Sequence, residues 1–120
     1  MAKFLIHVTC GIENPSKAAL AFLVAKSALE EGHTVDLFLA ADAVQLLRPA
    51  VVDNLVGLGT GPMKAHVDAI VQAGGKFYVS GMSAKSRGVE QDGLGSTPAE
   101  FAMPNVLVRL AAEADKVLCY

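Results

Sequence analysis

Two cysteines, Cys10 and Cys119, are the residues of this chain best suited to nucleophilic chemistry. Cys10 follows the apolar run 3–8 and precedes Gly11, so the sequence predicts it at a strand exit, next to a turn. A thiol at such a place, beside the start of a helix, could be stabilised as a thiolate and act as a nucleophile. The alternative is a small buried hydrophobe, since free cysteine is among the most buried residue types. Cys119 belongs to a terminal apolar run and is predicted in the core or in an interface.

Polar residues and glycines follow two further apolar runs. The run 34–39 leads to Asp42, and the run 76–79 leads to Ser80, Gly81 and Ser83. In an open parallel sheet, ligands bind beyond the carboxyl ends of the strands, so these positions are candidate ligand contacts. The predicted ligand-binding set consists of Gly11, Asn14, Asp42, Ser80, Gly81, Ser83 and Arg87.

Several members of this set also have a purely structural explanation. Asn14 precedes a proline and is a favoured N-cap. Asp42 can cap a short helix over 43–47, and Ser83 can cap another that extends to Arg87. Capping alone therefore explains at least one of the two serines. Arg87 either binds an anion or is solvated on its helix, and the sequence leaves both interpretations open.

The three histidines do not indicate a metal site, because no two of them have metal-ligand spacing. His7 is inside an apolar run and is predicted to be a hydrogen-bonded core residue. His33 and His66 are predicted at the surface. No Ser-His-Asp arrangement can be derived either, since nothing in the sequence places three such residues together. We therefore predict no metal ion and no cofactor.

Strands and helices alternate along the chain and must position these residues. Apolar runs predict four strands, at 3–8, 34–39, 76–79 and 116–120. Helices are predicted to begin at Pro15, at Pro62 and at the capping box Thr97 to Glu100. A bend is expected at Pro104, and a fifth strand could lie within 51–58. This order predicts one α/β domain over residues 1–120, with a mostly parallel sheet of four to five strands.

Composition limits the classes of partner. Of the 120 residues, 52% are hydrophobic and 18% charged, and the mean hydropathy is +0.42. Since average chains are roughly 45–50% apolar and about 25% charged, the excess predicts an interface between copies of the chain. No run reaches the roughly 20 apolar residues of a membrane span, and the N-terminus has no signal-peptide layout. A net charge of -2 without a basic patch argues against nucleic-acid binding. Two isolated thiols predict a reducing, cytoplasmic location.

Three segments occur in a familiar order and together cover more than half of the chain. They are CGIENPSKAALAFLVAKSALEEGHTVDLFLAADAVQLL, GGKFYVSGMSAKSRG and EADKVLCY. In combination they resemble the DsrE/DsrF-like sulfur-relay family, which includes the YchN-like proteins. The resemblance implies a three-layer α/β/α sandwich that assembles into homotrimers or hexamers. It also implies a persulfide-forming cysteine at a strand exit, and the matching position in this chain is Ser80.

Because a serine hydroxyl cannot form a persulfide, the resemblance leaves three hypotheses. In the first, Cys10 has become the sulfur carrier and exchanges sulfur with a donor or acceptor protein. In the second, the chain is a binding module for a small anionic or sulfur-bearing ligand, with Ser80, Ser83 and backbone amides as donors. In the third, it is an oligomeric interaction protein without chemistry of its own, such as a silent subunit beside a cysteine-bearing paralogue. Of these, we favour sulfur handling, followed by the binding module.

Overall fold

A computed structural model describes all 120 residues as helices arranged around a parallel sheet. In chain order the elements are β1 (Lys3–Val8), α1 (Pro15–Glu30), β2 (Thr34–Leu39), α2 (Pro49–Val52), β3 (Val56–Gly57), β4 (Gly61–Pro62), α3 (Met63–Gln72), β5 (Lys76–Ser80), α4 (Gly81–Ser86), β6 (Glu100–Ala102), α5 (Pro104–Glu113) and β7 (Lys116–Cys119). Two short 3₁₀ helices, Ala41–Gln45 and Gln91–Leu94, lie in the connections.

Five of the seven strands form the central sheet. Their order is β6-β5-β2-β1-β7, and every neighbouring pair is parallel. Parallel neighbours need crossover connections, and each crossover here contains at least one helix. The remaining two strands, β3 and β4, pair only with each other, as a short antiparallel hairpin. The prediction of an α/β fold with a mostly parallel sheet of four to five strands is confirmed.

Helices cover the two faces of the sheet unequally. α1 and α3 pack together over one face and form the larger core, which includes the fully buried Phe22, Leu37 and Ile70. On the other face, residues of α5 pack on the smaller core, which includes Leu5 and Phe38. These three layers form an α/β/α sandwich, of which the α5 side is the thinner. None of the helices combines the length and apolarity needed to cross a membrane.

The segment from β1 to β2 folds as local sequence rules predict. α1 begins after Asn14, whose side-chain oxygen accepts a hydrogen bond from the Lys17 amide at 3.2 Å, and Pro15 occupies its first position. The chain leaves the helix through Gly32, at a φ of 89°, a conformation that glycine adopts without steric cost. β1 and β2 coincide with the apolar runs. The predicted start of α1 is therefore confirmed together with its cap.

The predicted helix start at Thr97 to Glu100 is wrong. Residues Glu100–Ala102 form β6, and the helix that follows begins only at Pro104. Ala102 pairs with Ser80 of β5, so pairing at the edge of the sheet outweighs the local capping pattern. The fifth strand of the sheet is therefore β6. It does not lie within 51–58, where the chain forms part of α2 and one strand of the hairpin.

Two predicted helix caps also differ from the structure. Asp42 lies inside the 3₁₀ helix Ala41–Gln45, and its carboxylate accepts a hydrogen bond from Arg87 rather than from a helix terminus. Ser83 lies within α4, whose N-cap is Ser80. The Ser80 hydroxyl accepts a hydrogen bond from the Ser83 amide at 3.2 Å. At Asp42 a contact with a distant segment replaces the predicted cap. At Ser83 the predicted cap is replaced because the helix starts three residues earlier.

Candidate functional site

The carboxyl ends of β1, β2 and β5 bring five of the predicted residues into one network. We call this network the carboxyl rim, and its members are Gly11, Asp42, Ser80, Ser83 and Arg87. In the sheet, β2 lies between β1 and β5, so the loop after β2 contacts the loops of both neighbours. The fold thus groups the residues as the strand-exit rule predicts. Their role in binding a ligand remains a prediction.

Gly11 approaches Asp42 too closely for any side chain to fit between them. A Cβ atom built on Gly11 would lie 2.9 Å from the carbonyl carbon of Asp42 and would overlap its carbonyl oxygen. Both are backbone atoms, which cannot turn aside as the end of a side chain can. Glycine at this position therefore allows the loop after β1 to close against the loop after β2.

The Arg87 side chain is fixed by three hydrogen bonds. Its Nε donates to Asp42 Oδ1 at 3.1 Å, and its Nη1 donates to the Ser83 carbonyl at 3.3 Å and to the Ser86 hydroxyl at 3.1 Å. These bonds leave Nη2 available for another acceptor. The ion pair reaches solvent, since the side chains of Arg87 and Asp42 are 30% and 57% exposed. A guanidinium that is held in place and open to solvent is suited to binding an oxyanion.

Ser83 links the loop after β2 to α4. Its hydroxyl oxygen accepts a hydrogen bond from the Ala41 amide at 2.9 Å. Ala41 has a φ of 52° and is the only non-glycine residue in the left-handed region, a conformation that costs about 1 kcal/mol or more. The bond to Ser83 helps to hold this strained turn. No acceptor within the protein takes the hydroxyl proton of Ser83, so that proton is available to a ligand.

Helix starts explain the positions of three predicted contacts, which are Asn14, Gly81 and the rim residue Ser80. Asn14 caps α1 through its side-chain oxygen, and Ser80 is buried as the N-cap of α4. Gly81 is half-buried at the start of α4. A Cβ atom built on Gly81 would lie 3.6 Å from the Met103 sulfur. For Asn14 and Ser80 the structure therefore shows the capping explanation. Whether either also contacts a ligand stays a prediction.

Cys10 does not have the lowered pKa that the sequence suggested. Its side chain belongs to the larger core and only 8% of the residue is exposed. Burial raises the pKa of the Cys10 thiol, and the nearby Glu13 carboxylate raises it further, against weaker lowering effects of Lys17 and of a backbone hydrogen bond. These surroundings agree with the alternative interpretation of Cys10 as a small buried hydrophobe, and its role as a sulfur carrier stays a prediction.

Glu13 is a feature of the site that the sequence analysis missed. Its Oε1 accepts a hydrogen bond from the Gly11 amide at 2.7 Å, which keeps a carboxylate next to Cys10. No pattern in the sequence distinguishes Glu13 from a solvated loop residue. The contact shows that the Gly11 amide can bind a carboxylate oxygen.

An open cavity of about 650 Å³ adjoins the rim. Its lining consists of Gly81, Met82, Lys85, Ser86 and Met103. The two methionines are 58% and 50% exposed, so their apolar side chains are accessible to a ligand in the cavity. Ser86 connects the cavity to the rim through its hydrogen bond with Arg87. Apolar walls with one cation suit a small molecule that has an apolar part and an anionic group.

The remaining candidates lie outside the rim and differ from their predicted environments. His66 is buried rather than exposed, and its Nε2 lies 2.7 Å from the Thr60 carbonyl oxygen. His7 is half-buried, and its Nε2 has no hydrogen-bond partner, so it is not the hydrogen-bonded residue that was predicted. Cys119 is exposed in the single chain, so of the two predicted environments the core is excluded and an interface stays a prediction. No group of three or more His, Cys, Asp and Glu side chains is arranged to hold a metal ion.

Three solved structures have the same fold as this chain. The ychN protein from E. coli superposes with a TM-score of 0.77 at 18% identity, over 100% of both chains. The protein of unknown function MTH1491 from Methanobacterium thermoautotrophicum gives a TM-score of 0.75 at 13% identity, also over 100% of both chains. The conserved protein of unknown function BT1422 from Bacteroides thetaiotaomicron gives 0.72 at 11% identity, over 99% of this chain and 95% of that one. At such identities the likeness shows the fold alone.

Comparison at the level of families is more specific. A search of the curated proteins finds no match. The model of the DsrE/DsrF-like family, by contrast, matches residues 2–120. The matched region extends from before β1 to the end of β7 and includes every residue of the carboxyl rim. The chain therefore belongs to the DsrE/DsrF-like family.

Proposed function

We propose that this chain binds a small anionic ligand at its carboxyl rim and that the rim contains no cysteine nucleophile. One observation supports this above all. Arg87 is held by Asp42 with its Nη2 unengaged, whereas the nearest thiol, Cys10, is buried with a raised pKa. By the family resemblance, the position of the persulfide cysteine is occupied by Ser80. A rim that has hydrogen-bond donors but no thiolate is suited to binding an anion and not to transferring sulfur.

The chemistry of the donors defines the class of ligand. Arg87 and the Ser83 hydroxyl can both donate to an oxyanion, and hydrogen bonds from a charged donor are about twice as strong as neutral ones. Lys85 adds a second cation at the adjoining cavity. The exposed Met82 and Met103 provide an apolar surface for the rest of the ligand. A carboxylate or a sulfur oxyanion, free or attached to a small apolar group, meets these conditions.

Thermal unfolding in the presence of sulfate, thiosulfate or small carboxylates tests the proposal, with chloride at equal ionic strength as the reference. At ten times its dissociation constant, a ligand stabilises the folded state by about 1.4 kcal/mol, which corresponds to a Tm rise of roughly 5 °C for a domain of this size. Arg87→Gln should abolish the rise. Arg48→Gln is a matched control, because Arg48 is exposed and its side chain forms a hydrogen bond only with Gln45.

Two outcomes would count against the binding proposal. The first is a Tm that none of these anions raises above the chloride reference. The second is sulfur added to Cys10: intact mass spectrometry after treatment with a polysulfide would show a mass gain that disappears in Cys10→Ser. That result would support the alternative function, in which Cys10 is a sulfur carrier.

We further propose that the chain self-associates in a reducing, cytoplasmic environment. The α5 side of the sandwich exposes Val108 and Val117, at 67% and 44%, and α5 is the single helix packed on that face. These exposed apolar side chains on the thinner side, together with the apolar excess of the composition, support an interface between copies of the chain. Sedimentation equilibrium tests the assembly, and a monomer at micromolar concentration would contradict it. A mixed assembly with a cysteine-bearing paralogue would instead make this chain the silent subunit.

A further inference from the structure

Another cavity lies at the opposite edge of the sheet from the carboxyl rim. Its volume is about 430 Å³, which is within the range of small-molecule sites, about 300–1,000 Å³. The first residues of three neighbouring strands contribute to its lining: Lys3 of β1, Thr34 of β2 and Lys76 of β5. We call it the amino-edge cavity, because the amino ends of these parallel strands meet there.

Charges of both signs line the amino-edge cavity. Lys3 and Lys76 are cations, and Asp36 and Glu113 are anions. Lys3 Nζ and Glu113 Oε2 are 3.6 Å apart and form an ion pair. Asp36 and Lys76 are register partners on β2 and β5, yet neither belongs to any of the three ion pairs of the chain. The cavity therefore presents one carboxylate and one ammonium group that lack a partner.

The Asp36 carboxylate is poorly compensated in the folded chain. The residue is half-buried, and burial raises the pKa of its carboxyl. Lys3 and Lys76 lower this pKa and Glu113 raises it, but burial has the largest effect. The two lysines thus do not fully offset the cost of removing the carboxylate from water. A cation that bound directly to Asp36 would supply the missing compensation.

The rest of the lining includes apolar and aromatic side chains. Leu29 contributes from α1 and Leu110 from α5. The Tyr78 ring stacks on Phe38 with centroids 6.4 Å apart, and this contact holds the ring beside the cavity. An apolar side chain of a ligand can pack against these groups while its charged end reaches Asp36.

We propose that the amino-edge cavity binds a free amino acid with an apolar side chain. The ammonium group of the ligand donates hydrogen bonds to the Asp36 carboxylate, and the carboxylate of the ligand accepts from the Lys76 ammonium group. The two cations and two anions of the lining sum to zero, and a zwitterion preserves this balance. Binding here does not depend on the carboxyl rim, which lies at the other ends of the same strands.

The amino-edge cavity is also separate from the apolar side chains that support self-association. Val117 lies on β7, and no residue of β7 lines the cavity. Val108 lies on α5, whose lining residues are Leu110 and Glu113. The experiment is done on the full chain in its own oligomeric state, so a cavity that another copy covers would show no binding.

Amide NMR shifts of the isotope-labelled chain locate the binding. Leucine is the probe, and two analogues each lack one of its charges: isopentylamine has no carboxylate, and isocaproate has no ammonium group. Leucine should shift the amides at the starts of β1, β2 and β5 until they saturate. Isopentylamine should bind at the same place more weakly, and isocaproate should shift these amides least. Shifts at the carboxyl rim do not count, because the rim is itself proposed to bind carboxylates.

Two substitutions assign the contacts. Asp36→Asn should weaken leucine binding by roughly tenfold or more, because a charged acceptor becomes a neutral one. The variant should fold, since burial disfavours the charge that it removes. Asp68→Asn is the matched control and should leave the affinity unchanged, because Asp68 is exposed on α3 and pairs with Lys64. Lys76→Gln should weaken the binding of leucine but not that of isopentylamine.

Three results would overturn the proposal. The first is the absence of saturable shifts at the amino edge with leucine at tens of millimolar. The second is equal leucine affinity in the native chain and in Asp36→Asn. The third is equal affinity of the native chain for leucine and for isopentylamine, which would show that the carboxylate of the ligand is not recognised.

Discussion

Replacing Gly11 by alanine should destabilise the protein and disrupt the carboxyl rim. The added methyl group would overlap the carbonyl oxygen of Asp42 and lie 2.9 Å from its carbonyl carbon. Real Cβ contacts are longer, so the loop after β1 and the loop after β2 must move apart. Because Asp42 pairs with Arg87, that movement also shifts the guanidinium. The change therefore affects both stability and the proposed ligand site.

The size of the effect follows from the kind of atoms that clash. Extra methyl groups in a packed site cost about 1–3 kcal/mol, and the upper part of this range applies when backbone atoms rather than a flexible side chain must yield. We therefore expect a loss of about 2–3 kcal/mol in the free energy of unfolding. For a chain of 120 residues, that loss lowers the Tm by roughly 10 °C.

Gly93→Ala is a matched control for this substitution. Gly93 lies in the 3₁₀ helix Gln91–Leu94, and a Cβ built on it has no atom within 4 Å. Both variants remove the same backbone freedom from the unfolded chain, which by itself stabilises by about 0.4–1 kcal/mol. The difference between them isolates the clash. Urea unfolding followed by far-UV circular dichroism is suitable, because the chain contains no tryptophan.

Two results would refute the reasoning about Gly11. One is a free energy of unfolding for Gly11→Ala within about 0.5 kcal/mol of the value for Gly93→Ala, which is the usual scatter of surface substitutions. The other is an anion-dependent Tm rise in Gly11→Ala equal to that of the native chain. The first would show that the loops separate without cost, and the second that the rim does not need their contact.

The remaining predictions concern ionisation and buried hydrogen bonds. Glu13→Gln removes a charge that raises the pKa of Cys10, so the pKa of this thiol should fall. Iodoacetamide should then alkylate Cys10 faster at about pH 8, as peptide mass mapping would show. An unchanged alkylation rate would contradict this prediction. The pKa of His7 is lowered on folding, so the unfolded state binds the proton more readily and stability should fall as the pH drops below about 6.5. Urea titrations across that range should show a weaker pH dependence in His7→Phe, and an equal dependence would refute the assignment. His66→Leu leaves the Thr60 carbonyl without its partner and should lower the free energy of unfolding by about 1–3 kcal/mol. His66→Gln can still donate a hydrogen bond and should lower it less in the same titrations. Equal losses in the two variants would show that the hydrogen bond is unimportant.

The elements with strong local patterns were predictable in type and place. β1, β2 and α1 have apolar runs or helical spacing, and Asn14 and Gly32 mark the helix ends. In contrast, the three residues of β6 have no strand pattern of their own, and Thr97 to Glu100, which overlaps the strand at Glu100, imitates a helix start. β6 exists because Phe101 and its neighbours pair with β5, and no local rule contains that pairing.

The candidate site was predictable in its location and not in its contacts. Strand ends locate Asp42, Ser83 and Arg87 in one region, since parallel strands all end at the same edge. Their partners depend on contacts across 45 residues of chain for Arg87 and Asp42, and across 42 residues for Ala41 and Ser83. Which side chain meets which cannot follow from spacing alone. The strained turn at Ala41 and the carboxylate of Glu13 were not foreseen for the same reason.

The sequence by itself determined the α/β class, the parallel arrangement and the edge of the sheet at which polar residues gather, because periodicity, caps and strand direction are local properties. Tertiary structure alone decided the environments of the two thiols. Cys10 is covered by the helices of the larger core, whereas Cys119 lies on the edge strand of the face on which only α5 packs. Two cysteines in similar apolar runs thus acquired opposite exposures, because burial depends on which helix crosses which face of the sheet.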